Sequence, residues 1–144
     1  MILDVFSRAI VGWATSARID AELVCAAFGR AVCQYRPGLR VIFHSDRGSQ
    51  YTSKMLRDLL ARQEVPFKQS NGQSCYDNAV TETFFHTLKT ESAAFEHFRT
   101  REEAHCYLFD YIEVFYNQQR LHSSLGYCTP REILQGITNQ QKAA

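Results

Sequence analysis

Four short runs rich in β-branched and aromatic residues, interrupted by turn and helix signals, constrain this chain more than any other feature. "MILDVFSRAIVGWATS" holds two of them, read as short strands around a turn near Ser7 and Arg8. Asp20 then caps "AELVCAAFGRAVCQY", whose apolar residues recur at helical spacing. Arg36-Pro37-Gly38 stops that helix, and "LRVIF" reads as a short buried strand. Thr52 or Ser53 starts a helix reaching about Arg62, and "VPFKQ" supplies the fourth strand. "SNGQSCYD" is a polar, Gly-containing loop, after which Asp77 or Asn78 caps a helix ending near Glu91. Thr100 and Glu103 form a capping box for one long helix, "REEAHCYLFDYIEVFYNQQR". "HSSLGYC" is a loop, and Thr129-Pro130-Arg131-Glu132 opens a last short helix with a second capping box. The order β-β-α-β-α-β-α-α-α predicts an α/β domain with a mixed sheet.

A chain of 144 residues with 45% apolar and 22% charged residues falls in the range of one globular domain, which excludes disordered and fibrous classes. We take residues 1–135 as that domain and 136–144 as a frayed tail. No apolar run approaches the roughly 18 residues of a membrane span, so no membrane is expected as a partner. The cysteines are five, an odd number with no C-x-x-C pair, and read as reduced thiols of a cytoplasmic protein. The net charge of +1 argues for no polyanion by itself, but its distribution is uneven. Residues 30–70 carry a balance of +5 and residues 71–113 a balance of −5. That split fits a nucleic-acid groove, and equally fits solvated helix faces.

The stretch "FHSDRGSQYTS" places Asp46 after an apolar run and before a helix start. α/β enzymes keep metal-binding carboxylates there, and ordinary loops keep turn formers there. Glu82 lies 35 intervening residues further on, inside the helix that follows the polar loop. On that helix Asn78, Glu82, His86 and Lys89 form one polar stripe, while Val80, Phe84, Phe85 and Leu88 supply apolar packing positions. A purely structural helix would use the same stripe as its wet face. Two facing carboxylates suit Mg²⁺, which takes oxygen ligands and keeps waters that a phosphate can displace.

"LDVFSRAIVGWA", "HSDRGSQY", "CYDNAVTETFFHTLKTE" and "YIEVFYNQQRLHSSLGYCTP" together resemble the catalytic core of insertion-sequence transposases in the retroviral-integrase, or DDE, superfamily. The resemblance implies a ribonuclease-H-like mixed sheet flanked by helices, and a DNA-integrating enzyme using two Mg²⁺ ions, with Mn²⁺ as substitute. In such enzymes water cuts the element's 3′ ends and the freed 3′-OH attacks target DNA. Asp46 matches the second aspartate of the triad and Glu82 its glutamate, both as catalytic metal ligands. Lys89 matches a basic residue expected to touch DNA phosphate, and Asn78 lies in the segment expected to close over terminal nucleotides. His86 and Arg47 are assigned to DNA contact beside them. "YNQQRLHSSLGY" matches a block with no assigned chemistry, in which Asn117, Arg120 and His122 fit packing and capping equally well.

The family's first aspartate has no counterpart here; the resemblance places it upstream of Met1, on the first central strand, which is therefore missing. Asp4 reads instead as a cap or as a partner of Arg8. The isolated chain is accordingly expected to be marginally stable, or to fill the gap by dimerisation or strand exchange, and to show little strand transfer. Expected partners are element-end and target DNA, further copies of the chain, and a separate helix-turn-helix protein, in a bacterial cytoplasm near the nucleoid. The rival expectation is a non-catalytic, DNA-binding or dominant-negative remnant of a decayed element.

Overall fold

The computed structural model describes residues 1–35, 41–46, 48–69, 79–91 and 98–143. Two short strands, β1 (Ile2–Leu3) and β2 (Ile10–Gly12), form one two-stranded sheet. Their turn is fixed by Asp4, whose Oδ2 accepts from both the main-chain N–H and the hydroxyl of Ser7, while Asp4 N–H donates to Ala9 O at 2.8 Å. Arg8 takes a φ of +63°, the left-handed conformation a tight reversal requires. The expected turn is therefore present, with Asp4 as its cap.

α1 (Ala21–Tyr35) begins where Asp20 Oδ1 accepts from Leu23 N at 3.0 Å. β3 (Phe43–Ser45) runs parallel to β4 (Phe67–Gln69), with Phe43 opposite Phe67, His44 opposite Lys68 and Ser45 opposite Gln69. Between them α2 (Lys54–Arg62) is capped by Ser53, whose hydroxyl accepts from Leu56 N at 3.2 Å. The strand expected over 39–43 meets β3 only at its last residue, Phe43, so β3 starts four residues later than expected. Its ladder opens with Phe43 N–H donating to Pro66 O at 2.9 Å, so Val41 and Ile42 lie ahead of it and Ile42 stays 54% exposed. Among the described residues no strand joins the β1–β2 pair to the β3–β4 pair, and β3 has a strand partner only in β4.

α3 (Ala79–Glu91) buries Phe84 and Leu88, two positions four residues apart on one face. Phe85 was expected to pack and is instead 44% exposed, because one residue turns it about 100° off that face. The long predicted helix divides: α4 (Arg101–Phe109) is α-helical, and Asp110–Tyr116 continues it as a π-helix. Thr100 caps it as expected, accepting from Glu103 N at 3.1 Å, although the Glu103 carboxylate reaches back to Arg99 N rather than to Thr100 N. α5 (Pro130–Ala143) is longer than the short helix expected. Its capping box is reciprocal: Thr129 Oγ1 accepts from Glu132 N at 3.3 Å, and Glu132 accepts from Thr129 N at 2.7 Å. The cap expected at Asp77 or Asn78, the 70–77 loop and the 36–38 helix stop fall outside the described residues. Cys25, Cys33, Cys106 and Cys128 are free thiols.

The chain divides into two compact units, Met1–Ile2 with Val11–His86, and Leu3–Ile10 with Thr87–Ala144. The first is built on Val24 and Phe28 of α1, Phe43 of β3, Leu56 and Leu60 of α2, and Val65. Phe28 and Phe43 meet edge to face at 5.5 Å, and each such buried side chain contributes about 1.5–3 kcal/mol. β2 approaches α1 so closely that a Cβ on Gly12 would stand 2.3 Å from Ala27 O and 2.8 Å from Ala31 Cβ. The second unit buries Ala9, Ile10, Tyr111, Ile112 and Tyr116. Gly12→Ala should therefore destabilise the chain by about 1–3 kcal/mol in a denaturant melt, through forced separation of β2 from α1. A melt superimposable on the parent's would show that this approach is not tight.

Candidate functional site

Asp46 follows directly on β3, at the carboxyl end of a parallel strand pair, where open α/β sheets present their ligand-binding residues. It is exposed, and its Oδ1 accepts from Gly48 N at 2.8 Å, which fixes the carboxylate at the mouth of the loop. Ser45 behind it is buried, its hydroxyl donating to Asp46 O at 2.9 Å, so it serves the strand end rather than a ligand. His44 is exposed on the opposite face of the strand. Tyr51 lies close enough for the Asp46 charge to bear on it: burial first, then Asp46, push its phenol up, against a hydrogen bond from Gln50.

Glu82 is exposed in the first turn of α3, where a carboxylate also suits the positive helix end. Asp46, Glu82 and His86 belong to the same compact unit, and His86 is exposed one turn beyond Glu82. Lys89 is exposed in the last turn of α3 and belongs to the second unit. Arg47 and Asn78 fall outside the described residues. The donors offered are hard carboxylate oxygens, the kind Mg²⁺ takes. Among the described residues no three His, Cys, Asp or Glu side chains gather around one point, and Asp46 and Glu82 are the two candidate carboxylates. Asp4 and Asp20 are occupied by the hairpin turn and the α1 cap.

The block without assigned chemistry resolves into structure. Asn117, 4% exposed, uses its amide as a strand mimic: Oδ1 accepts from Ile10 N at 2.9 Å and Nδ2 donates to Ile10 O at 3.0 Å. Arg120 grips Glu91 with Nε at 2.9 Å from Oε2 and Nη2 at 2.7 Å from Oε1, and Tyr111 Oη donates to the same carboxylate at 3.1 Å. The Arg120 guanidinium lies 5.9 Å from the Tyr116 ring centroid, and its Nη1 stands 3.2 Å from His122 Nε2. Hydrogen bonding from Arg120 holds the Glu91 carboxyl below its ordinary range. Burial, then the neighbouring Glu91, push the Tyr111 phenol up, and burial raises Tyr116 to about 12. Burial first, then Arg120, hold His122 down, partly offset by Glu91, with Arg8 adding to the depression. Glu91 and Tyr111 were not legible as a pair. They meet across 20 residues with no shared periodicity, and only the fold shows it.

A protein-family model described as integrase core domain matches residues 1–75, and a second model of the same description matches residues 82–133. The transposase for insertion sequence element IS904 of Lactococcus lactis is 42% identical over 91% of this chain and 52% of its own length. Transposase InsF for insertion sequence IS3A of Escherichia coli is 40% identical over 92% of this chain and 46% of its own. The chain thus spans about half the length of these curated relatives. Among solved structures, the catalytic core domain of BIV integrase superposes with a TM-score of 0.66 at 17% identity, covering 94% of this chain and 86% of that one. A chain of the simian T-cell lymphotropic virus intasome in complex with PP2A regulatory subunit B56 gamma gives 0.70 at 13% identity, over 92% of this chain and 46% of that one. These likenesses show the ribonuclease-H-like mixed α/β fold. No helix among the described residues is long and apolar enough to cross a membrane.

Two outcomes follow from the second unit's geometry. Asn117→Ala strands two buried main-chain groups of Ile10 and should cost about 1–3 kcal/mol for each left unpaired, read in a denaturant melt. The neutral His122 ring accepts from Arg120, and its folded pKa lies below the unfolded one. Its contribution to stability is therefore complete above the ordinary imidazole range, about 6.5, and fades as pH falls through the depressed value. Thermal melts from pH 7 downward should show a steeper loss in the parent than in His122→Gln; parallel curves would refute the assignment.

Proposed function

The chain belongs to the integrase core domain family, and from that premise we propose that it is the DNA-joining core of an insertion-sequence transposase. The observation that carries this reading furthest is Asp46 at the carboxyl end of β3, exposed, with Glu82 exposed in the first turn of α3. In this reading Asp46 and Glu82 are the metal ligands for Mg²⁺, with Mn²⁺ as substitute. Bound there, the metal would polarise a phosphodiester and lower the pKa of an attacking water or 3′-hydroxyl. The chain's own residues do the rest. The hydrogen bond from Gly48 N holds the Asp46 carboxylate in one orientation. Glu82 presents its carboxylate from a helix rather than a loop, which limits its travel. Lys89, exposed on α3, neutralises a backbone phosphate of the bound DNA, with His86, Asn78 and Arg47 as further contacts.

The partners in this reading are element-end DNA and target DNA, engaged by several copies of the chain, with end recognition supplied by a helix-turn-helix protein or segment. Two carboxylates are fewer than this chemistry ordinarily uses to hold two ions, and the acids before Asp46 in its own compact unit, Asp20 and Glu22, sit at the start of α1. We therefore expect the chain by itself to be inactive in strand transfer. The commitment of Asp4 and Asp20 to local caps favours, as a second reading, a protein that binds DNA without cutting it.

Manganese binding followed by electron paramagnetic resonance tests the site directly. Asp46→Asn and Glu82→Gln should each weaken Mn²⁺ binding by tenfold or more, and parent-like binding in both would sink the assignment. Incubation with an element-end duplex and Mg²⁺ or Mn²⁺ tests the activity. No joined product is expected from the chain alone. Robust product that disappears in Asp46→Asn would overturn the expected inactivity while retaining the site.

A further inference from the structure

Lys89 and Glu91 stand two residues apart in the last turn of α3, a cation proposed to meet phosphate beside a carboxylate that would repel it. Both belong to the second compact unit, and there the Glu91 carboxylate is engaged from two sides. Arg120 takes it with a two-pronged grip, Nε and Nη2 at 2.9 and 2.7 Å, and Tyr111 Oη adds a third donor at 3.1 Å. The guanidinium is itself fixed, with the Tyr116 ring 5.9 Å from its centre and His122 Nε2 3.2 Å from Nη1. Side chains two residues apart on a helix point in different directions, so Glu91 held on Arg120 is held away from Lys89. The pair is also neutral as a unit, which removes the repulsion that an ionised Glu91 would exert on an approaching phosphate.

We infer that Arg120 and Tyr111 are positioning residues for nucleic-acid binding: by clamping and neutralising Glu91, they keep Lys89 committed to a DNA phosphate. This rests on the reading of Lys89 as a phosphate contact. The π-helical segment Asp110–Tyr116 is what aligns the clamp. It places Tyr111 on Glu91, and within the next turn Arg120 N–H bonds to Phe115 O at 2.8 Å, five residues back.

The test is the salt dependence of duplex DNA binding by the full chain, followed by fluorescence anisotropy across a NaCl series. The slope of log K against log salt counts phosphate contacts, and circular dichroism across the same NaCl series checks that the folded fraction stays constant. Lys89→Ala should lower the magnitude of that slope by about 0.9, the value of one contact. Arg120→Gln should lower it by the same amount, and the Lys89→Ala/Arg120→Gln double variant should lower it no further. Removing the carboxylate as well, in Glu91→Gln/Arg120→Gln, should restore the parental slope, an outcome that a merely stabilising ion pair does not produce. Arg120→Lys keeps the charge but loses the two-pronged grip, and should give an intermediate slope even if Arg120→Gln does not fold. A parental slope in Arg120→Gln or Arg120→Lys overturns the inference, as does an additive loss in the double variant, which would make Arg120 a contact in its own right. A parental slope in Lys89→Ala overturns the reading of Lys89 itself and the inference with it.

Discussion

Ile10 directs both of its main-chain hydrogen-bonding groups at a single side chain, the amide of Asn117, which lies 107 residues away in sequence. A carboxamide presents one acceptor and one donor in the same plane, as a peptide group does, so it can stand in for a neighbouring strand. The second compact unit depends on this clasp, because its two chain segments, Leu3–Ile10 and Thr87–Ala144, have no covalent link within it. Burial makes the clasp consequential, because a main-chain group left unpaired in a site shielded from water is costly. The π-helix that precedes Asn117 belongs to the same solution, for Asn117 N–H bonds to Ile112 O, five residues back, and the widened turn delivers the amide where β2 needs it.

The local signals were readable wherever one residue's chemistry decides the outcome. Asp20, Ser53, Thr100 and Thr129 cap helices as their side chains predict, and Asp4 caps the hairpin turn. Reading failed where the outcome depends on a partner distant in sequence. The β3 ladder begins at Phe43 because its pairing with Pro66 and Phe67 begins there, and an apolar run alone cannot announce that register. The long helix turns π-helical over Asp110–Tyr116, and the contacts made there and by Asn117 just after it reach Glu91 and Ile10, neither of which lies on it. Phe85 differs from Phe84 only by rotation about α3, and periodicity cannot say which of two adjacent aromatics faces inward.

The setting of the two candidate carboxylates on the strand and the helix was legible. Asp46 and Glu82 stand out because one ends a strand and the other opens a helix, positions where a carboxylate is exposed without distorting the core. What surrounds them was not legible. The Glu91–Arg120 pair, with side chains 35% and 23% exposed, carries little stability as a surface ion pair. Its interest lies in where it puts charge, at the same helix end as Lys89. An exposed pair of this kind acts on the local field more than on the folding equilibrium.

The distance along the chain between Ile10 and Asn117 also sets an order of events during synthesis. The first compact unit, apart from Met1 and Ile2, draws on Val11–His86 and is complete once that stretch has emerged from the ribosome. The Ile10–Asn117 clasp must wait for a further stretch of chain. At ordinary elongation rates the 107 residues separating the two clasp partners take roughly 5–20 s to make. Through that interval Val5 and Phe6, exposed even in the finished fold, sit on a hairpin whose turn is closed by its own Asp4 and Ser7 while the Ile10 main chain still lacks Asn117. The hairpin, translated well before Asn117, is thus among the last parts of the second unit to be secured.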